Sequence, residues 1–370
     1  MLRLRSSACA RRLAVGLTAV TLGVVALALS ASRADAQDMN IALSRLRIPA
    51  VDSGTAAPNT PCAVPFDMSG NPIPMDFCQD DPAWQRVMTQ FAGAMMPPVL
   101  TTAGTRGVRG IYVGFETWLT PIESDASGAN ATGSAWHRAV EGDGLGGSTT
   151  SSRFVDSVLA WGRFNLRKGL PFGFDLGMNI GYLANSSYWT LGLEVRWALF
   201  EGFRDGVGWI PDLAVRAAVQ TLLGDSEFNM TIPTVDVILS EPFVIANTVE
   251  VTPSVFGQVG WIFADSELVD LTPGTPIFPS CNPDPLTPTS MSGGPPYCRG
   301  SGRELNHNVV FSQIRSTRFR LGGGLQIRYE WFQIGGSFLF DVLTPHDMDG
   351  TLPSDLPRQM QIDISAGVTL

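Results

Sequence analysis

The chain has 370 residues, with 25 Lys and Arg against 34 Asp and Glu and a formal net charge of −9. An acidic balance excludes charge-driven binding to nucleic acid. Only 16% of residues are charged while 44% are hydrophobic, yet past residue 29 no apolar run approaches the roughly 18 residues of a membrane helix, which excludes a helical membrane protein.

The first element is an export signal. Arg3, Arg5, Arg11 and Arg12 precede an apolar run from Leu13 to Leu29, and Ala34-Asp35-Ala36 offers a small-x-small cleavage site before Gln37. The run is nearly long enough to serve as an anchor, but the cleavage site favours removal between Ala36 and Gln37. Taking five Arg and one Asp from the totals leaves 20 basic and 33 acidic residues, a net of −13. Four cysteines remain in two local pairs, Cys62 with Cys78 and Cys281 with Cys298. An even count at these spacings in an exported chain reads as two disulfides rather than a zinc site.

Residues 37–107 are rich in Pro, Ala and Thr and contain a single helical pattern, "DDPAWQRVMTQFAGAMM". Asp80 or Asp81 caps it, Pro82 stands in the first turn, and Trp84, Val87, Met88, Phe91 and Met95 recur at helical spacing before Pro97-Pro98 stops the run. Such a helix packs beneath whatever follows it, or enters it as a plug.

From Arg106 the period changes to two, and ten strands follow, near 110–119, 154–167, 172–184, 188–199, 210–222, 231–240, 249–264, 318–329, 332–341 and 359–370, the sixth short. Soluble strands average about five or six residues, whereas a tilted strand needs roughly nine to eleven to cross a bilayer. Long connections follow strands one, seven and nine, and short ones follow strands two, four, six and eight. This alternation fits long outer loops and short periplasmic turns, with both termini in the periplasm. Arg163 and Arg167, Glu194 and Arg196, Asp212 and Arg216, and Arg320 and Arg328 each share one face of a strand. That face is the lumen, because Arg on the lipid side at the midplane costs roughly 2 to 4 kcal/mol. Tyr182, Trp189, Trp197, Trp261, Phe263, Tyr329 and Phe332 lie near the ends of the opposite faces and supply interfacial girdles.

With these features the chain resembles a bacterial outer-membrane β-barrel protein over residues 108–370. The likeness is one of architecture rather than motif. It implies an all-β, antiparallel up-and-down barrel of about ten strands, outer-membrane lipid as surroundings, and barrel-assembly machinery that reads the C-terminal strand. In that class the last strand often ends in an aromatic, where this chain has Leu370.

Glu116, Asp175, Glu194, Asp212, Asp236, Glu250, Asp341 and Asp363 face Arg163, Arg167, Arg196, Arg216, Arg320 and Arg328 across the expected lumen. A ten-stranded interior is little wider than one that side chains fill, so these charges read as a paired structural core. His137, His307 and His346 fall in outer loops, the last beside Asp347 and Asp349. They are the only candidates for acid/base chemistry or a cation site at the rim, and their spacing matches no catalytic arrangement. "GDGLGG" at 142–147 follows no strand and opens no helix, so it is a loop rather than a nucleotide site. No cofactor, metal or enzymatic activity is expected. The leading expectation is a structural or surface-interacting barrel with a filled lumen. The alternatives are a transporter for small or apolar compounds and a surface hydrolase using loop His and Asp.

A closed barrel pairs every backbone group with another strand. The protein is therefore expected to run at a different position on SDS gels before and after heating, and to stay with the membrane through a carbonate wash. Release by carbonate would exclude the barrel.

Overall fold

The computed structural model describes residues 39–49, 77–124, 134–140, 156–200, 211–246, 248–271, 308–348, 350, 352–353 and 355–370. Ten strands form the barrel: β1 (Ile111–Pro121), β2 (Val158–Gly169), β3 (Phe174–Leu183), β4 (Trp189–Phe200), β5 (Asp212–Leu223), β6 (Phe228–Ser240), β7 (Val249–Ser266), β8 (Ile314–Tyr329), β9 (Phe332–Asp341) and β10 (Met360–Thr369). Each pairs antiparallel with its neighbours in the chain, and β10 returns to β1, from Ile362 opposite Leu119 to Thr369 opposite Tyr112. The sheet thus has no open edge, the condition for standing in lipid. Strand β6 runs 13 residues, a full crossing rather than a short one. Its Thr231 and Pro233 interrupt the apolar pattern, yet they share one alternating face with Val235, Val237 and Leu239.

Alternation is carried through the whole sheet. Leu176, Met178 and Ile180 of β3, Leu191, Leu193 and Val195 of β4, Phe319, Leu321 and Leu325 of β8, and Met360, Ile362 and Ile364 of β10 are exposed, and the residues between them are enclosed. Tyr182, Trp189, Trp197, Trp261, Phe263, Tyr329 and Phe332 all lie on this outer face. Phe174 stacks on Trp197 at 5.4 Å and Tyr182 meets Trp189 at 4.9 Å, as girdle residues on adjacent strands should. A continuous apolar exterior on a closed ten-stranded sheet is the build of a bacterial outer-membrane barrel. Among the described residues no helix is long and apolar enough to cross a membrane, so the crossing belongs to the strands.

The helix α1 (Asp81–Met95) is capped by Asp80, whose side chain accepts from Ala83 N at 3.1 Å, with Pro82 in the first turn. It lies inside the barrel, not beneath it. Its polar side is enclosed along with its apolar side, for Gln85, Thr89 and Gln90 are as buried as Trp84, Val87 and Phe91. The helix enters from the end of the long connections. Trp84 packs on Phe228 and Phe311, and Phe91 on Trp161 and Tyr188, all near that end. Residues 96–106 continue as an extended chain to the opposite rim, where β1 begins.

This placement changes the expected topology. The described residues ahead of the helix sit at the long-loop mouth: Met39 N donates to Asn185 O, Ile41 N to Tyr188 Oη and Leu43 N to Glu227 Oε2. The C terminus is at the other end, where Leu370 exchanges backbone hydrogen bonds with Ile111. The expectation of both ends on one side does not hold for this segment. Helical periodicity shows which residues of a helix are apolar, but not which mouth it enters.

Ile364 is 61% exposed on the lipid face, while Gln326 is half-buried in the lumen near the short-turn rim. Ile364→Arg is expected to lower stability by roughly 2 to 4 kcal/mol and Gln326→Arg by less than about 1 kcal/mol. Urea titrations read by the heat-sensitive gel shift would check this, and equal losses would reverse the face assignment.

Candidate functional site: the plugged lumen

Each lumen charge named from the sequence points inward. The first network is a chain of alternating sign that runs from β1 to β6 and passes over β3 between Arg167 and Glu194. Arg163 meets Glu116 at 2.5 Å, Glu116 meets Arg167 at 3.0 Å, and Arg167 pairs with Glu194. Glu194 lies 3.3 Å from Arg216, which lies 2.6 Å from Asp236. Towards the short-turn rim, Arg196 pairs with Asp175, which also takes Arg106 at 3.5 Å. A second network joins Arg318 and Arg320 through Asp341, then passes from Arg320 through Gln361 to Asp363, which Ser337 also reaches at 2.8 Å. Arg328 and Glu250 pair at the rim, where both are partly exposed.

These side chains do more than neutralise one another, for they hold the plug by its main chain. The last carbonyls of a helix have no partner within it, and Pro97-Pro98 ends α1 with two residues that lack an N–H. The wall supplies donors to Gly93 O and Ala94 O, whose i+4 residues are those prolines, and adds a second donor to Thr89 O and Gln90 O, whose i+4 N–H groups lie within α1. Arg318 Nη2 donates to Thr89 O at 2.9 Å, Gln359 Nε2 to Gln90 O at 3.1 Å, Arg320 Nη2 to Gly93 O at 2.5 Å and Trp118 Nε1 to Ala94 O at 2.7 Å. Along the extended part, Gln258 Nε2 reaches Pro97 O and Arg216 Nη1 reaches Pro98 O, both at 2.9 Å, and Arg196 donates to Thr102 O. One contact runs the other way, Ala103 N donating to Ser240 Oγ at 2.9 Å. Two arginines at the C-terminal end of α1 also complement its dipole. Gly93 permits the close approach, since a Cβ there would lie 2.0 Å from Gln359 Oε1 and 2.9 Å from the Arg318 guanidinium.

Several of these residues were not singled out from the sequence. Arg106 precedes the first expected strand, and Arg318 is the first residue of the eighth, on the face of Arg320. Gln258, Gln359 and Ser240 carry no charge pattern, and only the position of the plug gives them a role.

At the long-loop mouth the start of α1, the end of β1 and the short helix α2 (Ala135–Ala139) enclose a cleft of about 640 Å³. Asp80 meets Arg138 at 2.6 Å on one side of it, and Arg86 meets Glu123 at 3.5 Å and Asp355 at 2.7 Å on the other. The Arg86 hydrogen bond and charge hold the exposed Asp355 carboxyl below its ordinary range. Pro82, Ala83, Ile122 and Ala135 also line it.

The candidate loop chemistry is not brought together. His137 lies in α2, and His346 lies in a two-residue strand beside Thr317. Asp347 there accepts from Leu352 N. His307, Asp349 and the 142–147 loop lie outside the described residues. Among the described residues no group of three His, Cys, Asp or Glu is placed to hold a metal ion. Of the four cysteines only Cys78 is described, in a short strand (Phe77–Gln79) paired with Arg47–Pro49. Cys62, Cys281 and Cys298, and the Ala36–Gln37 cleavage site, lie outside them.

No protein-family model matches the chain, and no curated protein sequence matches it. Solved structures do align with it. The attachment invasion locus protein Ail of Yersinia pestis aligns over 71% of this chain and 99% of its own, at 10% identity and a TM-score of 0.24. The N-terminal β-barrel domain of OprF from Pseudomonas aeruginosa aligns over 70% and 97%, at 8% identity and 0.24. The translocator domain of autotransporter NalP from Neisseria meningitidis aligns over 77% and 94%, at 8% identity and 0.26.

Arg216 is the donor shared by Glu194, Asp236 and the plug. Arg216→Ala is expected to cost roughly 3 to 5 kcal/mol, because it leaves buried carboxylates without their partner. Arg328→Ala at the rim is expected to cost less than about 1 kcal/mol. Urea unfolding of the two refolded variants would check the contrast, and a small effect at Arg216 would show that its network is open to water.

Proposed function

We propose that the protein is a closed structural barrel of the outer membrane whose outer mouth serves as an interaction surface. The observation that carries this reading is the lumen occupied by residues 81–106 and hydrogen-bonded to the wall along its length. A transported compound would have to displace that segment and leave the wall arginines without their carbonyl partners. In this reading residues 1–36 are a signal removed at Ala36–Gln37, residues 37–107 form the plug and its outer part, and residues 108–370 form the barrel. The Cys62–Cys78 and Cys281–Cys298 disulfides would brace the outer segments, and barrel-assembly machinery would recognise β10. The mouth cleft, lined by both signs of charge, is the natural place for a surface contact.

In planar bilayers the mature protein is expected to pass no steady current. Gly93→Leu drives a side chain into Gln359 and is expected to give openings. The Ala103→Cys, Ser240→Cys pair, oxidised, is expected to remain closed. Steady current through the oxidised pair would overturn the closed barrel in favour of a channel that conducts past its plug.

A further inference from the structure

We propose that the barrel displays its own N-terminal segment: the chain ahead of Asp81 reaches the outer face by passing through the lumen. Three observations meet on this point. Residues 39–46 and 80 are tied to the long-loop mouth, through Asn185 O, Tyr188 Oη, Glu227 Oε2 and the Asp80 N to Leu46 O bond. The segment from α1 to Arg106 spans the lumen from that mouth to the rim where Ile111 and Leu370 meet. The connections at 122–157 and 267–313 open on the mouth, whereas 170–173 and 330–331 turn at the rim, and long connections face outward in such barrels. The displayed segment and the two ends of the strand sheet therefore lie on opposite sides of the membrane.

The chemistry of the seat suits passage. Its donors reach the carbonyls of Pro97, Pro98 and Thr102, and its acceptor takes Ala103 N. Carbonyl and N–H groups repeat along any polypeptide, so a wall that grips them accepts successive segments of different sequence. This is the recognition an extended chain requires as it moves through. The segment that comes to rest is marked by Pro97-Pro98, which end α1 because neither carries an N–H, and by Gly93, which lets α1 seat against the wall. Once seated, Asp80 at the end of the displayed residues lines the cleft with Arg86, Glu123 and Arg138.

The test uses the full chain in intact cells. A short epitope is inserted after residue 57, a second variant carries it after Gln37, and a third carries it after residue 205 in the β4–β5 connection. Heat-sensitive gel mobility confirms that each barrel is folded. Antibody binding to intact cells is expected to equal that on permeabilised cells for the first two, and to appear only after permeabilisation for the third. Binding at 57 and 37 that needs permeabilisation would overturn the display, and binding at 205 on intact cells would overturn the orientation. The route is tested by replacing the epitope at 57 with a small disulfide-locked domain. Loss of display when the domain is oxidised, with recovery when its cysteines are Ser, is expected of an extended chain crossing the lumen. Equal display of the locked domain would overturn passage through the lumen. Neither result depends on whether the seated plug conducts.

Discussion

A β-sheet in lipid cannot keep an edge, and the pairing of β10 with β1 is the constraint on which the rest of this molecule depends. Closure is what allows the outer face to be apolar throughout, since no strand then needs water for its N–H and C=O groups. It also makes an inside. Ten strands enclose a space too wide for their own side chains to fill with apolar groups alone and too narrow to leave buried charges in water. The Arg and acidic side chains of the inner face, and the plug they hold, are the molecule's answer to that geometry.

Pairing alone would leave those arginines with unused donors. Taking a guanidinium out of water is expensive, and a single carboxylate satisfies only part of its fork. The extended chain at Pro97 to Thr102 has the complementary problem of carbonyls without N–H partners nearby. Each supplies what the other lacks, as at Arg216, which meets Asp236, Glu194 and Pro98 O. Plug and wall therefore form one polar core, and loss of either part would leave the other unsatisfied. Among the described residues some buried side-chain atoms have no protein partner, Arg163 Nη1 and Arg216 Nη2 among them.

The two halves of the lumen are built differently. Towards the long-loop mouth it is aromatic and apolar, with Trp84, Phe91, Trp118, Trp161, Tyr188 and Phe228 around the helix. Towards the short-turn rim it is ionic around an extended backbone. A helix has satisfied its own main chain and needs apolar packing, whereas an extended segment has not and needs donors. The change is graded, since Arg318 and Arg320 already reach the helix carbonyls of Thr89 and Gly93 ahead of Met96.

How much of this was legible in the residues divides along the same physical line. Alternation at period two is a local property, so Ile362 and Ile364 outward and Gln361, Asp363 and Ser365 inward follow from β10 alone. The same holds for Arg163 with Arg167 and Glu194 with Arg196, because a charge in lipid has no acceptable alternative. Strand count, membrane location and the inward charge set were therefore determined by the sequence itself. Which carboxylate each arginine meets depends on strands far apart in the chain, as with Arg167 between Glu116 and Glu194. The roles of Gln258, Gln359, Trp118 and Ser240 depend on a segment that lies in no strand. Only the tertiary structure placed α1 within the barrel and its N terminus at the long-loop mouth, because a helix that is apolar on one side can satisfy that side under a barrel or inside it. What decides between them is the set of main-chain partners the lumen wall provides.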